Sequence, residues 1–506
     1  MKTKAKKLVT LILTALLVLS ILPMNVFAAP RDVVEGSTAS ITVENAVKDD
    51  ALAAYKLINI TYNSTTNTLA YEWSSPAIKD YFENGTTNGT GIVYDVKKFA
   101  ELSDNTETNQ TALKDLLAGL PKYIVDNTIV AVKTETVDAD GNATFADLAM
   151  GEYFIRPTST TSVYQLMLQK VEPTVSGSKY VIDDVTFTAK HKEVTVDKTA
   201  DKTSVTKNEK VTYTIKVDVP TYASQAVDKS FYVADLLPDG LTIDVGSIKV
   251  QIEGVDVAAA AYTLETTPTA EYTFKLNVST AQYAANWSAN GGKALVITYT
   301  ATLNDNDTTE VNTKETNKVT FDYSNYPYVA NSHKQKTDTV DVTTFAIKID
   351  KYVDGEETNK LAGAKFDLYR TATQAEVNAG LAVIIPHTAV NGIKLEWDLV
   401  TDDDGVATFE KYEANGTNYD YYLVETQAPS GYNLLDNAVK VNFTDTDVAA
   451  TAGVYTVEVP NSSGIKLPIT GGTGTVIFTV VGIALMVGAV VLFVISRKKA
   501  KAEENE

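Results

Sequence analysis

The chain has 506 residues, a formal net charge of −20, no cysteine and three histidines. These values exclude disulfide staples, thiolate metal sites and cysteine nucleophiles, and His191, His333 and His387 are too scattered to read as a metal cluster. An acidic chain without basic blocks also argues against nucleic acid or an anionic membrane surface as partner.

At the N-terminus Lys2, Lys4, Lys6 and Lys7 precede an apolar stretch from Leu8 to Leu22, and Val26-Phe27-Ala28 offers small residues for cleavage. This pattern predicts a secretory signal peptide over residues 1–28. Beyond it the sequence is rich in Thr, Val and Tyr, in short alternating runs broken by Asn, Asp and Gly turns. Val211-Thr-Tyr-Thr-Ile-Lys-Val217 and Ala294-Leu-Val-Ile-Thr-Tyr-Thr-Ala301 are examples. Such runs predict an all-β chain of tandem β-sandwiches, with helical excursions at Thr111 to Leu120 and Gln374 to Gly380. Charged segments around His191-Lys192-Glu193 and His333-Lys334-Gln335-Lys336, each followed by a fresh strand, divide it into three domains: 29–192, 193–342 and 343–464.

In the first domain Gly151-Glu-Tyr-Phe-Ile-Arg156 places a glutamate on a strand, but no lysine, acid and asparagine set accompanies it. Glu152 is read as an ordinary strand residue and no internal bond is expected there. In the middle domain side chains two apart share a face. Val194 and Val196 lie with Lys198, Phe231 and Val233 with Asp235, and Val319 and Phe321 with Asn317. Glu265 and Glu271 are rival acids and Asn325 a rival acceptor.

The third domain repeats the pattern. Phe345, Ile347 and Ile349 share a face with Lys351, Tyr421 and Leu423 with Glu425, and Tyr455, Val457 and Val459 with Asn461. A lone buried lysine is costly, so three such residues turned to the core are informative. Burial makes Lys351 a neutral nucleophile and keeps Glu425 protonated, able to relay a proton as ammonia leaves Asn461. A buried salt bridge with a satisfied asparagine is the plainer reading. Leu361-Ala-Gly-Ala-Lys-Phe-Asp-Leu-Tyr369 and Tyr421-Tyr-Leu-Val-Glu-Thr-Gln-Ala-Pro-Ser-Gly-Tyr432 closely resemble the signature segments of the Cna protein B-type domain, an immunoglobulin-like sandwich. The second of them matches its Y-x-L-x-E-T-x-A-P-x-G-Y box. The resemblance implies an intramolecular isopeptide bond between Lys351 and Asn461, promoted by Glu425. Phe231-Tyr-Val-Ala-Asp-Leu-Leu-Pro-Asp-Gly-Leu-Thr242 resembles the middle domain of backbone pilins and implies a Lys198–Asn317 bond promoted by Asp235. In both domains the bond is expected to tie the first strand to the last, at nearly equal separations along the chain.

Residues 465–506 read as a sorting signal. Leu467-Pro468-Ile469-Thr470-Gly471 precedes about twenty apolar residues, Val476 to Ile495, long enough to span a bilayer as a helix. Arg497-Lys498-Lys499 then keeps the end cytoplasmic. The pentapeptide resembles the L-P-x-T-G motif of Gram-positive surface proteins, in which a sortase cuts between Thr and Gly, here Thr470 and Gly471. The plain alternative is a permanent single-pass anchor.

Val185-Thr-Phe-Thr-Ala-Lys-His-Lys192 occupies the place of the Y-P-K motif that ends the first domain of backbone pilins. Lys190 falls on the motif lysine, Thr188-Ala189 replaces Tyr-Pro, and Lys192 is the alternative. Signal peptide, domain count, order of the lysine–acid–asparagine sets and sorting signal together resemble a sortase-assembled major (backbone) pilin. That resemblance implies a subunit joined through its threonyl carbonyl to a lysine of the next copy and finally to peptidoglycan, in support of adhesion. It implies a class C-type pilus sortase, a housekeeping sortase, identical subunits and minor pilins as partners, with host surface ligands left open and no cofactor. The alternative is a singly wall-anchored adhesin or an ancillary pilin. An anchored enzyme is disfavoured, since no Gly-rich phosphate loop and no Ser–His–Asp set in a motif context is present.

Overall fold

The computed structural model describes residues 30–104, 106–304, 314–414, 419–449, 451–464 and 473–503. The signal segment 1–28 and the pentapeptide 467–471 lie outside these. The chain divides after Thr343 into two compact units.

The first unit holds two apolar cores, one drawn mainly from residues 33–189 and one from 163–342. In its N-terminal half Thr38–Glu44 lies between Val185–Thr188, parallel to it, and Ala143–Ala149, antiparallel. The facing sheet runs Thr68–Trp73, Ala51–Asn63, Gly151–Ser159, Met167–Val171. Strict alternation along Thr38–Glu44 buries Ala39, Ile41 and Val43 against this second sheet.

Helices cover one side. Pro76–Glu83 starts where the Ser75 hydroxyl accepts the Ile78 N–H with proline at the first position, and buries Ile78, Tyr81 and Phe82. Val96–Asp104, Thr106–Ala118 and Leu120–Asp126 follow. The expected excursion at 111–120 is thus one part of a larger helical layer. The excursion at 374–380 is a single short helix, Gln374–Asn378, opened by a Thr373–Glu376 capping box.

The C-terminal half of this unit is an antiparallel sandwich. One sheet runs Val196–Ala200, Lys210–Asp218, Ala294–Leu303, Leu241–Ile252, Val255–Asp256. The other runs Thr263–Glu265, Phe274–Val278, Phe231–Leu236, Lys314–Ser324, His333–Thr343. Two tyrosines after the Lys314–Ser324 strand, Tyr326 and Tyr328, are buried in the first core. Asn325 Nδ2 donates to the Thr160 carbonyl at 2.9 Å. This seam accounts for two cores forming one compact unit, with the expected 192/193 boundary inside it.

In the second unit Phe345–Val353 runs parallel to Val454–Asn461 and antiparallel to Val406–Tyr412. The opposite sheet runs Val383–Ile384, Asn391–Val400, Lys365–Thr371, Tyr421–Gln427, Val439–Val441. Helix Thr473–Glu503 carries a 19-residue apolar window, Thr479–Arg497, none of it buried. At 1.5 Å per residue that window is about 28 Å long, close to a bilayer's hydrocarbon thickness.

Candidate self-crosslinking sites and the cell-wall anchor

The Phe345–Val353 strand turns Ile347, Ile349 and Lys351 inward, and Lys351 is fully buried. The parallel register sets Lys351 opposite Val459 and carries Asn461 two residues further, on the same face. Lys351 Nζ donates to Asn461 Oδ1 at 2.5 Å and to the Val459 carbonyl at 2.9 Å. Glu425, from the opposite sheet, stands 3.7 Å from Lys351 Nζ and accepts from Asn461 Nδ2 at 3.0 and 3.3 Å. Its second oxygen also accepts the Leu435 N–H at 2.8 Å, and the Asn433 carbonyl accepts from Asn461 Nδ2 at 3.0 Å. Desolvation pushes the Lys351 ammonium down to about 8 and the Glu425 carboxyl up. A partly neutral amine therefore faces a carboxamide carbon, and an acid touches both the nucleophile and the leaving nitrogen. That is the arrangement amide exchange requires.

The middle-domain set spans the two sheets of its sandwich. Lys198 projects from Val196–Ala200, while Asp235 and Asn317 come from adjacent strands of the facing sheet; all three are buried. Lys198 Nζ contacts Asp235 Oδ2 directly and donates to Tyr299 Oη at 3.0 Å. Tyr299 Oη donates to Asp235 Oδ1 at 2.7 Å and accepts from Asn317 Nδ2 at 2.7 Å. Burial moves the lysine down and the aspartate up, toward a neutral pair.

Sequence reasoning missed Tyr299. It reads as one more inward aromatic in an alternating strand, and its only signal is a hydroxyl on the apolar face of the sheet that carries the buried lysine. A second difference concerns topology: Asn317 sits on the penultimate strand, because His333–Thr343 follows it in the same sheet. The rivals are occupied elsewhere. Glu265 accepts the Tyr272 hydroxyl at 2.8 Å, Glu271 lies in an exposed turn, and Asn325 belongs to the seam.

The first domain repeats the third domain's frame without its reactive groups. Ala46 N–H donates to the Gly141 carbonyl at 2.9 Å, as Lys351 N–H does to Gly405 at 2.8 Å. A register shift brings Pro157 opposite Leu52, just as one brings Glu425 opposite Phe366. Alanine and proline thus stand where the lysine and glutamate would. Glu152 departs from the expected ordinary strand residue: it is 1% exposed, and desolvation pushes its carboxyl up to about 8. Lys170 stands 3.9 Å from it and also contacts Asp104.

Lys190 is half-buried, its ammonium moved down by desolvation, and its carbonyl accepts the Gln165 N–H at 2.9 Å. Lys192 is exposed, on the short strand His191–Lys192 that pairs with Val163–Tyr164. His333 lies between Asp322 (2.5 Å) and Asp228 (3.1 Å), with Ser230 Oγ 3.3 Å away. The two acids raise the imidazole pKa, and Ser230 Oγ donates to Asp228 Oδ1 at 2.6 Å, so the hydroxyl is held by the carboxylate.

Residues 345–456 match a family model described as a prealbumin-like fold domain, and residues 459–501 match the LPXTG cell wall anchor motif. The chain is 25% identical over 421 residues to fimbrial subunit type 1 of Actinomyces viscosus, covering 74% of this chain and 78% of that protein. Among solved structures it resembles the T6 backbone pilin of Streptococcus pyogenes serotype M6, described as a modular three-domain protein. The TM-score is 0.57 at 16% identity, over 85% of this chain and 99% of that one. The full-length major pilin SpaD of Corynebacterium diphtheriae gives a TM-score of 0.55 at 17% identity, over 86% and 99%. The chain is a cell-wall-anchored surface protein, held transiently in the membrane by its C-terminal helix, and its fold resembles that of the T6 backbone pilin and the major pilin SpaD.

Proposed function

We propose that this protein is the repeating subunit of a covalently polymerised pilus, hardened by two amide bonds that it forms within itself. The observation that carries the reading is the buried contact of Lys351 with Asn461 beside Glu425. In each site the neutral lysine attacks the asparagine Cγ, the carbon–nitrogen bond to Nδ2 breaks, and ammonia leaves with the proton that the acid relays. Folding supplies the proximity, so each bond forms once and needs no cofactor. Lys351–Asn461 is promoted by Glu425, and Lys198–Asn317 by Asp235.

Polymerisation runs from the other end of each subunit. A pilus sortase of the class C type cleaves between Thr470 and Gly471, and Lys190 of the next subunit attacks the resulting thioester, its depressed ammonium favouring the free amine. Lys192 is the competing acceptor. A housekeeping sortase transfers the finished polymer to peptidoglycan, and minor pilins join the same assembly.

The test is the intact mass of the secreted chain, residues 29–464, beside Lys351→Ala and Lys198→Ala. A deficit of two ammonia molecules, falling by one with each substitution, supports both bonds; a wild-type mass equal to the sequence mass refutes them. On cells a ladder of high-mass species supports polymerisation. A single anchored species refutes it and leaves the adhesin reading.

A further inference from the structure

Going beyond the crosslinking reading, on which it rests, we infer that Tyr299 is a catalytic residue of the middle-domain bond, relaying the proton between Asp235 and the departing nitrogen of Asn317. The two sites solve one problem with different side chains. In the third domain Glu425 is long enough to stand 3.7 Å from the lysine and still accept twice from Asn461 Nδ2. Asp235 is one methylene shorter. It reaches Lys198, but among the described residues no hydrogen bond joins it to Asn317. Tyr299 Oη fills that gap, within 3.0 Å of Lys198 Nζ, 2.7 Å of Asp235 Oδ1 and 2.7 Å of Asn317 Nδ2.

The hydroxyl is fixed in place. Tyr299 is 1% exposed, its ring packs on Tyr213 with centroids 5.4 Å apart, and Phe274 meets it edge-on at 5.1 Å. Asn317 Oδ1 is buried without a hydrogen-bond partner, so the carboxamide is not engaged by the lysine as Asn461 is.

Neutral Lys198 Nζ forms a bond to Asn317 Cγ and gives one proton to Asp235 Oδ2. With Asp235 in its acid form, protonated on Oδ1, the Tyr299–Asp235 hydrogen bond reverses, and Oδ1 releases its proton to Tyr299 Oη. Tyr299 turns its own proton onto Nδ2, whose lone pair is freed from amide conjugation in the tetrahedral intermediate. The Cγ–Nδ2 bond then breaks and ammonia departs; Tyr299 is again a neutral phenol, and Asp235 is again the acid, its proton now on Oδ2. The electrons of the broken bond leave on nitrogen, and no oxidant or further reactant takes part.

The test follows bond formation by intact mass over time in the secreted chain, with fragment mass spectrometry of the Lys198 and Asn317 peptides. Three proteins are compared: wild type, Tyr299→Phe, and Asp235→Glu with Tyr299→Phe. The phenylalanine keeps the ring and removes the relay, and formation is expected to slow by about 100-fold or more. In the double variant the longer acid reaches Asn317 directly, as Glu425 reaches Asn461, and the bond is expected to return. Tyr299→Phe crosslinking at the wild-type rate overturns the relay and leaves the bond itself intact. A slow Tyr299→Phe that the longer acid does not rescue overturns it in favour of a packing role. Wild type without the Lys198–Asn317 link overturns the underlying reading, which separates the two failures.

Discussion

Glu425→Gln separates the proposed covalent bond from the packing around it. Glutamine keeps the volume and an acceptor for Asn461 Nδ2 or the Leu435 N–H, but it cannot pass a proton. Lys351 and Asn461 then stay in contact as amine and carboxamide. The lost crosslink would have closed a loop of 110 residues. In the chain-entropy treatment of a covalent tie, such a loop stabilises by about 5 kcal/mol at 25 °C. For a domain near 120 residues, one kcal/mol moves the midpoint by roughly 3–5 °C, so the third-domain transition is expected to fall by roughly 15–25 °C. The assay is differential scanning calorimetry of the secreted chain, with intact mass on the same sample. The reasoning is refuted if the variant still loses ammonia at this site, or if an uncrosslinked variant melts within about 5 °C of wild type.

The same variant should acquire a pH dependence that wild type lacks. Burial already holds Lys351 down to about 8, and removing Glu425 removes a charge that raises it; between that value and 10.5 the unfolded chain binds more protons than the folded one. The midpoint of Glu425→Gln therefore rises with pH across this window, whereas under the proposed bond the wild-type nitrogen is an amide and the limb is absent. In the first domain Glu152 has the opposite sense: its folded value near 8 exceeds 4.5, so the folded state binds more protons and loses stability as pH rises between them. Glu152→Gln should remove that loss, worth roughly 3 kcal/mol at pH 7, read as slower amide exchange in Gly151–Ser159 at pH 7 but not at pH 4. His333, raised by Asp322 and Asp228, contributes stability that is full below 6.5 and lost as pH rises through its folded value. His333→Gln should flatten the pH profile of exchange in the 325–332 loop, and an unchanged profile counts against the clamp. On cells Lys190→Ala should abolish the high-mass ladder and Lys192→Ala leave it; the reverse result would move the acceptor to Lys192.

Strand parity was enough to turn six side chains toward two cores, because the period of two is a property of the pleat and needs no partner strand. It could not say which strands meet. Asn317 looked terminal because Lys334, Gln335 and Lys336 read as a linker. In the structure they open an edge strand whose outward face is polar, as unpaired edges commonly are. The start of the helical layer escaped for a related reason: Pro76–Glu83 spans only two turns, too short for a clear helical period, and Ser75-Pro76 was its sole local mark. The seam made by Tyr326 and Tyr328 left no local sign at all, since burial of an aromatic in a neighbouring core is a tertiary fact.

The first and third domains show that the frame and the reactive set are separable. Gly141 and Gly405 receive equivalent backbone bonds, and the same register shift appears at Pro157 and Glu425, although one frame carries a complete reactive set and the other none. The frame is therefore set by backbone pairing and the apolar face, and reactivity is added by three side chains at fixed register. Under the proposed assembly, load entering at Lys190 and leaving at Thr470 follows the chain through the middle and third domains only. Those are the two domains with complete sets, and the frame outside that path holds alanine and proline. A covalent tie in the first domain would bear no tension, so nothing in the mechanics calls for the buried lysine that such a tie requires.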